Sequence, residues 1–495
     1  MHPNGHEPDK RKSTSTSSAD SSRFMTNQAF SDQEKRFIQS LLLQATDELQ
    51  EAQQAEIAPA ERARRKAKLI INIFHYKVAL APHKMLPEYI LQLIFRWCLP
   101  QGEVCVPSAE VEPWFRLTRI CSSWRTLAIN TPELWRAVAM ELRDNHDHEH
   151  RIQVAQQWLK RAGNATRSLR IRISEVDEKW CTEAVNQLVL PFRFRSLDLV
   201  LARHQFDRIL SLPSQFTQSL EKFQFLATTD QPLDSNTELS HSNHKFLHLK
   251  TLRMTGIFSA SHLMAIFPWA QLRCVFIWGT TVLPASFLNV LADSLALEEL
   301  RVTIGPDPAT FKAPASFTLP NLQRLNLGFK AGSNAEWLLR SLILPKVEAF
   351  TVSGPELNCT SLSFANLAQR SGMTQIRSLY LGKGRESYRL DHLLKYTPSL
   401  SRITVLGRLE FDGEILEDMS TGRLGPSLEI MELSNVLDVF GILDMVRKRF
   451  VNARQGVLVK PVIDIIVPAT EVNRDGVYDL HVELNGLGIK LTWLA

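Results

Sequence analysis

The feature that most constrains this chain is a six-residue pattern, φ-x-x-φ-x-φ with φ apolar, that returns throughout its C-terminal two-thirds. It reads FRSLDL from Phe194, LEKFQF from Leu220, LKTLRM from Leu249, LRCVFI from Leu272 and LEELRV from Leu297. It continues as LQRLNL from Leu322, VEAFTV from Val347, IRSLYL from Ile376, LSRITV from Leu400 and LEIMEL from Leu428. Successive copies start 23 to 29 residues apart. A weaker copy, TRSLRI from Thr166, precedes them, and VIDIIV from Val462 follows. Alternate residues of a strand point to opposite faces, so each motif sends its φ side chains to one side of a short strand. Between motifs, Ser286 to Leu295, Ala335 to Leu342 and Leu390 to Tyr396 carry helical patterns. A single strand-plus-helix unit cannot bury its own apolar face, whereas stacked units bury a continuous core. The spacing therefore predicts one α/β solenoid with a parallel sheet over residues 166–495. Length alone, at roughly 150 residues per domain, suggests about three globular domains instead.

In motif and interval these units resemble leucine-rich repeats. The Asn or Cys that such repeats carry eight residues after the first φ is absent; Ala202, Thr228, Ile257, Thr280 and Gly305 stand there. The repeats are degenerate. The resemblance implies a sheet on the concave side of a curved solenoid, presenting a binding surface to a target protein. Residues three, five and seven of each unit face outward, among them Arg253, Phe276, Trp278, Arg301, Arg324 and Tyr380. Arginine and aromatic residues dominate interface energetics. Arg253, Arg301 and Arg324 suit an acidic or phosphorylated target, although Glu298 and Glu299 partly cancel their field.

The N-terminal third reads differently. Residues 1–30, with the run STSTSSADSS, cannot bury enough apolar area to offset chain entropy and read as a disordered leader. Ser31-Asp32-Gln33-Glu34 has the form of a capping box, opening an amphipathic helical region over 31–81. The segment 82–140 then holds HKMLPEYILQLIFRWCLP and, after an insert from Gln101 to Pro113, WFRLTRICSSWRTLAINTPELWRAV. Pro87 suits the first turn of a helix. Ile90, Leu93, Ile94 and Trp97 make an apolar stripe that Tyr89, Leu91 and Phe95 widen, so the helix needs cover on more than one side. Leu117, Ile120, Cys121, Trp124, Leu127 and Ala128 form a second helical face, ended by Pro132. A third short helix runs through Leu134 and Trp135. So small a core is marginal without a partner.

This segment resembles an F-box of the type common in basidiomycete fungi. The match rests on Leu-Pro opening the first helix, on the Ile120-Cys121-x-x-Trp124-Arg125-x-Leu127-Ala128 string, and on Thr131-Pro132-x-Leu134-Trp135. It departs from the family in the insert and in Ser122-Ser123, where a basic residue is more usual. The resemblance implies that Leu86, Pro87, Ile90, Ile94, Phe95, Ile120, Cys121, Trp124 and Leu127 bind a Skp-type adaptor and, through it, a cullin. The other reading of this stripe is intramolecular core, which Trp124 and Leu127 fit equally well. Residues 141–165 read as a connector.

No chemistry of catalysis is visible. There is no phosphate-cradling G-x-x-x-x-G-K-[ST], no G-x-S-x-G, no H-E-x-x-H and no dinucleotide fingerprint. His146, His148 and His150 alternate in NHDHEH without a nearby Cys and read as a solvated connector, so no metal or other cofactor is expected. A net charge of +5 over 495 residues implies no nucleic-acid partner. No run of 18 apolar residues implies a membrane span, and the N-terminus lacks a signal-peptide core. Six scattered cysteines without a C-x-x-C pair suit a reducing cytoplasmic or nuclear compartment. The expectation is a non-catalytic substrate-recognition subunit of a Skp–cullin–F-box ubiquitin ligase. It combines N-terminal all-α helices and an F-box with a leucine-rich-repeat-like solenoid, an α+β or α/β chain overall. The alternative is a repeat scaffold acting outside any ligase.

Overall fold

Every copy of the apolar motif becomes a strand. The structure is a computed structural model that describes residues 30–54, 58–82, 86–100, 102–106, 113–120, 122–143, 147–173, 178–228, 246–306, 316–355, 357–469 and 476–494. The chain divides into two units, one comprising residues to 139 with 153–166, the other 140–152 with 167–495.

Unit one opens with two helices, α1 (Asp32–Gln54) and α2 (Pro59–Ala79). The capping box forms: the Ser31 N–H donates to the Glu34 carboxylate at 2.7 Å and the Glu34 N–H donates to Ser31 Oγ at 3.3 Å. Ile38 meets Ala79, while Ala45 and Ala52 meet Leu69, so the helices run antiparallel. Phe30 is buried against the same pair, which moves the expected leader's boundary; residues 1–29 lie outside the described residues. Then follow α3 (Glu88–Trp97), β1 (Val104–Cys105), α4 (Pro113–Leu117), α5 (Ser122–Ile129) and a 3-10 turn at Pro132–Trp135.

Two expectations are corrected here. The apolar face from Leu117 to Ala128 falls on two helices, with a turn at 118–120 between them. The stretch read as a connector holds the end of strand β2 (Ala137–Leu142) and helix α6 (His148–Arg161). Val104 pairs in parallel with Val138, so the insert itself carries a strand.

Unit two carries β3 (Arg167–Ile173), β4 (Phe194–Leu201), β5 (Lys222–Ala227), β6 (Thr251–Thr255) and β7 (Cys274–Val282). It continues with β8 (Glu299–Ile304), β9 (Arg324–Phe329), β10 (Ala349–Ser353), β11 (Ser378–Leu381) and β12 (Arg402–Glu410). The series ends with β13 (Ile430–Val436), β14 (Asp464–Pro468) and β15 (Lys490–Leu494), the last matching no motif copy. From β3 to β15, each strand pairs in parallel with the next one in sequence. Parallel neighbours need a crossover, and helices such as Pro284–Ala292, Ser361–Ser371 and Val439–Arg454 supply it. Except at Phe194, which opens β4, the first residue of each motif copy sits just ahead of its strand, and Leu249, Leu272, Leu297, Leu322 and Leu400 are fully buried. Phe206, Phe223, Phe225 and Phe258 fill the space between early repeats with ring centroids 5.1 to 6.5 Å apart.

Without the Asn ladder, individual side chains close the backbone between repeats. Thr280 Oγ1 donates to the Gly256 carbonyl at 2.8 Å and accepts from the Phe258 N–H at 3.0 Å. The Arg370 guanidinium donates to the Leu339 and Leu342 carbonyls at the end of the preceding helix. The extreme case is Arg449, fully buried and without an ion-pair partner among the described residues. Its guanidinium donates to the carbonyls of Lys460 (2.6 Å), Met419 (2.7 Å), Gly425 (2.8 Å), Pro426 (3.0 Å) and Leu428 (3.3 Å). Burial pushes its pKa down to about 10, so it remains charged at pH 7.

Arg449→Met should cost about 3 kcal/mol or more, since it leaves buried carbonyls unpaired. In a repeat array the loss is local, so hydrogen exchange should quicken over 413–468 and stay unchanged in β3 to β6; uniform protection throughout would contradict this. A second expectation concerns thiols. Cys359 is buried and burial pushes its thiol up to about 12, whereas Cys105 is exposed. Native alkylation at pH 8 should label Cys105 and spare Cys359, as mass spectrometry would read directly.

Candidate functional site

Two surfaces carry the side chains that sequence reasoning singled out, one in each unit. In unit one, α3 begins after Pro87, whose ψ of 148° is extended and whose missing N–H costs the helix nothing. Three and a half residues per turn place Leu91 and Phe95 on one side, and both are buried. Phe95 lies edge-on to Trp124 of α5, with ring centroids 5.6 Å apart. Beyond them the Trp135 indole N–H donates to the Ala128 carbonyl at 2.8 Å, and its ring meets Trp158 of α6 edge-on at 4.8 Å. Arg161 covers the other side of Trp135 at 4.6 Å. This is a core of indoles closed on itself.

Phe95 and Trp124 are buried in this core, the alternative that the sequence left open for Trp124. Of the other expected residues, Leu86, Ile90, Ile94 and Leu127 are half-buried, Pro87 and Ile120 are exposed, and Cys121 lies outside the described residues. The opposite side of α3 shows what that expectation left out. Tyr89, Leu93 and Trp97, four residues apart, form a second apolar stripe at 63%, 44% and 87% exposure. Half-buried Ile90 and Ile94 join it to the core. The signal was present in the sequence, since a helix apolar nearly all round has to show one face, but periodicity alone does not say which.

In unit two, the outward positions of neighbouring strands fall into rows. One row runs Arg253, Phe276, Arg301, Asn326, Thr351, Tyr380, Thr404 and Glu432 in continuous register from β6 to β13. The Arg253 guanidinium lies 4.4 Å from the Phe276 ring centroid, and that of Arg301 lies 4.5 Å from the Trp278 ring. Neither arginine has an ion-pair partner among the described residues. Stacked on a ring, a guanidinium keeps its in-plane N–H groups for a carboxylate or carbonyl. Arg324 stands one row away and is engaged with Glu299 at 2.6 Å, a hydrogen bond that raises its pKa. Tyr380 is half-buried, and burial followed by the charge of Glu432 pushes its hydroxyl up.

A break in register presents Trp278. β7 pairs normally with β8 at Phe276–Arg301, then slips and resumes at Thr281–Thr303. Gly279 makes the slip with φ +83°, and any Cβ there would meet the Gly256 backbone at 3.0 Å. The Trp278 ring, half exposed, stands out on this bulge. The face offers a row of polar and aromatic groups with two arginines that have no ion-pair partner among the described residues.

Of the histidine run, His148 lies edge-on to Trp180 at 5.5 Å and His146 is outside the described residues. Among the described residues no group of His, Cys, Asp or Glu gathers as a metal site, and no helix is long and apolar enough to cross a membrane. No family model and no curated protein sequence matches this chain.

Proposed function

We propose that this protein is a substrate-recognition subunit of a Skp–cullin–F-box ubiquitin ligase. Unit one docks a Skp-type adaptor, and the outward sheet face of unit two holds the target. The observation that carries the reading is the doubly apolar α3. One side locks into the indole core, while Tyr89, Leu93 and Trp97 stay exposed in a single row. Helices present such i, i+4, i+8 anchors when their groove lies on another protein. The sheet face supports the second half, for its residues are the arginine and aromatic types that supply hot spots. In this role the chain contributes proximity, raising the effective concentration of target lysines near a ubiquitin thioester. No side chain of its own needs to react.

The exposed and buried faces of α3 separate binding from folding. Trp97→Ala should weaken adaptor binding by about 2 kcal/mol, roughly thirtyfold, with thermal stability changed by under ~0.5 kcal/mol. Phe95→Ala should instead unfold the small helical core, at a cost of about 3–5 kcal/mol. Calorimetric titration of the full chain with a Skp-type adaptor reads the first. An unaltered affinity in both Trp97→Ala and Ile94→Asp would remove the assignment, and the wild type failing to bind would favour the free-standing scaffold.

The target surface has its own test. Proximity labelling in cells should retrieve adaptor and cullin with wild type and with Trp278→Ala/Arg301→Ala, but lose a subset of other proteins with the double variant. An identical set of labelled proteins in the two would show that this face holds no target.

A further inference from the structure

A cleft of about 530 Å³ lies at the carboxyl ends of β11 to β13, apart from both surfaces above. Lys383, Arg385, Glu386, Ser387, Arg408 and Asn435 line it, so three cations face one carboxylate. Open parallel α/β sheets collect ligands outside the carboxyl ends of their strands, where loops diverge. The size suits a small molecule or a side chain rather than a flat protein face.

The cleft is built rather than incidental. After β11 the chain runs Gly382-Lys383-Gly384-Arg385, and two backbone bonds fix this loop to Leu357. The Leu357 N–H donates to the Lys383 carbonyl at 3.0 Å, and the Arg385 N–H donates to the Leu357 carbonyl at 2.9 Å. Beneath lies Tyr388, fully buried, whose hydroxyl donates to the Gly382 carbonyl at 3.3 Å. Tyr388 pairs in turn with Leu409 of β12. Between Val405 and Arg408 the register of β12 on β13 shifts, and Gly407 lies against the Tyr388 ring. A Cβ at Gly407 would stand 2.6 Å from a ring carbon, so a larger residue there would displace the Tyr388 ring or the strand. The bulge brings Arg408 opposite Asn435 and into the cleft.

Two of the three cations are available. Among the described residues, Lys383 and Arg408 have neither an ion-pair nor a hydrogen-bond partner for their side chains. Other cations on this sheet are taken by the neighbouring repeat, as in Lys460 with Glu429 and Lys490 with Asp464. Here a guanidinium fork, a point-charge ammonium, a hydroxyl and an amide converge. That donor set matches a group with three terminal oxygens and two charges better than it matches a carboxylate.

We infer that this cleft is a binding site for a phosphomonoester, gripped by Arg408, Lys383 and Arg385 with Ser387 and Asn435 as neutral donors. The inference stands on the cleft alone and does not rest on the proposed ligase role. Glu386 lowers affinity and favours exchange of the ligand over permanent capture.

Isothermal titration of the full chain with inorganic phosphate, O-phosphoserine and serine tests it. Saturable binding of the two phosphorylated probes, and none of serine, is expected. Arg408→Ala should weaken that binding about tenfold, the loss of one charge-assisted contact, and Lys383→Ala/Arg408→Ala should abolish it. Glu386→Gln should tighten it. These side chains are exposed, so melting curves without probe should match the wild type and exclude misfolding. Tighter binding of O-phosphoserine than of phosphate would assign the ligand to a carrier held in the cleft, and equal binding would assign it to the free anion. No saturable binding at millimolar probe, or equal affinity in the double variant, would overturn the site.

Discussion

Parallel pairing of each strand with the next one in sequence is the constraint on which unit two depends. A parallel neighbour cannot be reached by a hairpin, so each strand must be followed by a return segment that crosses the sheet's buried side. That return is what covers the φ side chains. The same arrangement makes every repeat dependent on its neighbours, because one strand with one helix leaves half its apolar surface and half its backbone groups open. Stability is therefore distributed, and each junction has to be closed locally. In this chain Thr280, Arg370 and Arg449 close different junctions by different chemistry. A uniform Asn ladder would fix one geometry throughout; side chains used once each tolerate the uneven 23- to 29-residue spacing.

A regular sheet offers every outward side chain the same exposure, so selective presentation requires a break in regularity. Two of the breaks in this sheet do that. At β7 the slip beyond Phe276 lifts Trp278, and at β12 the slip beyond Val405 turns Arg408 into a cleft. Each relies on a glycine where a neighbour comes too close for a Cβ, the Gly256 backbone in one case and the Tyr388 ring in the other. Extra residues, three at β7 and one at β12, cost ladder hydrogen bonds and gain an orientation that the pleat does not supply.

The strands of unit two were legible because their period is short and their φ positions are invariant in kind. The motif copies from Thr166 to Val462 all lie on strands, and the capping box at Ser31 forms as written. What escaped the sequence was fixed by tertiary contact. Strand β2 follows directly on the 3-10 turn, and its alternation is masked by apolar residues on both faces. Strand β15 lacks the leading φ-x-x segment of the motif. Phe95 and Trp97 are both aromatic on one short helix, and only the position of Trp124 decides that the first is core and the second is surface. Arg449 is a still clearer case. A lone arginine in a helical pattern reads as solvent-facing, yet carbonyls from a helix end and two loops converge on it. The register breaks likewise leave no local mark beyond a glycine.

Charge follows the same logic of neighbouring repeats. The chain has 57 basic and 52 acidic residues, and some of these charges are paired between adjacent repeats. Arg195 and Lys250 share Glu221, Arg273 takes Glu298, Arg324 takes Glu299, and Lys460 takes Glu429. Exposed pairs of this kind contribute little to stability, since solvent screens them. Their effect is to cancel the field of the sheet edge. The cations left over then stand out against a neutral background. Arg253 and Arg301 rest on aromatic rings, and Lys383 and Arg408 point into a cleft. Pairing between repeats thus concentrates attraction for an approaching anion on cations without an ion-pair partner, these four among them.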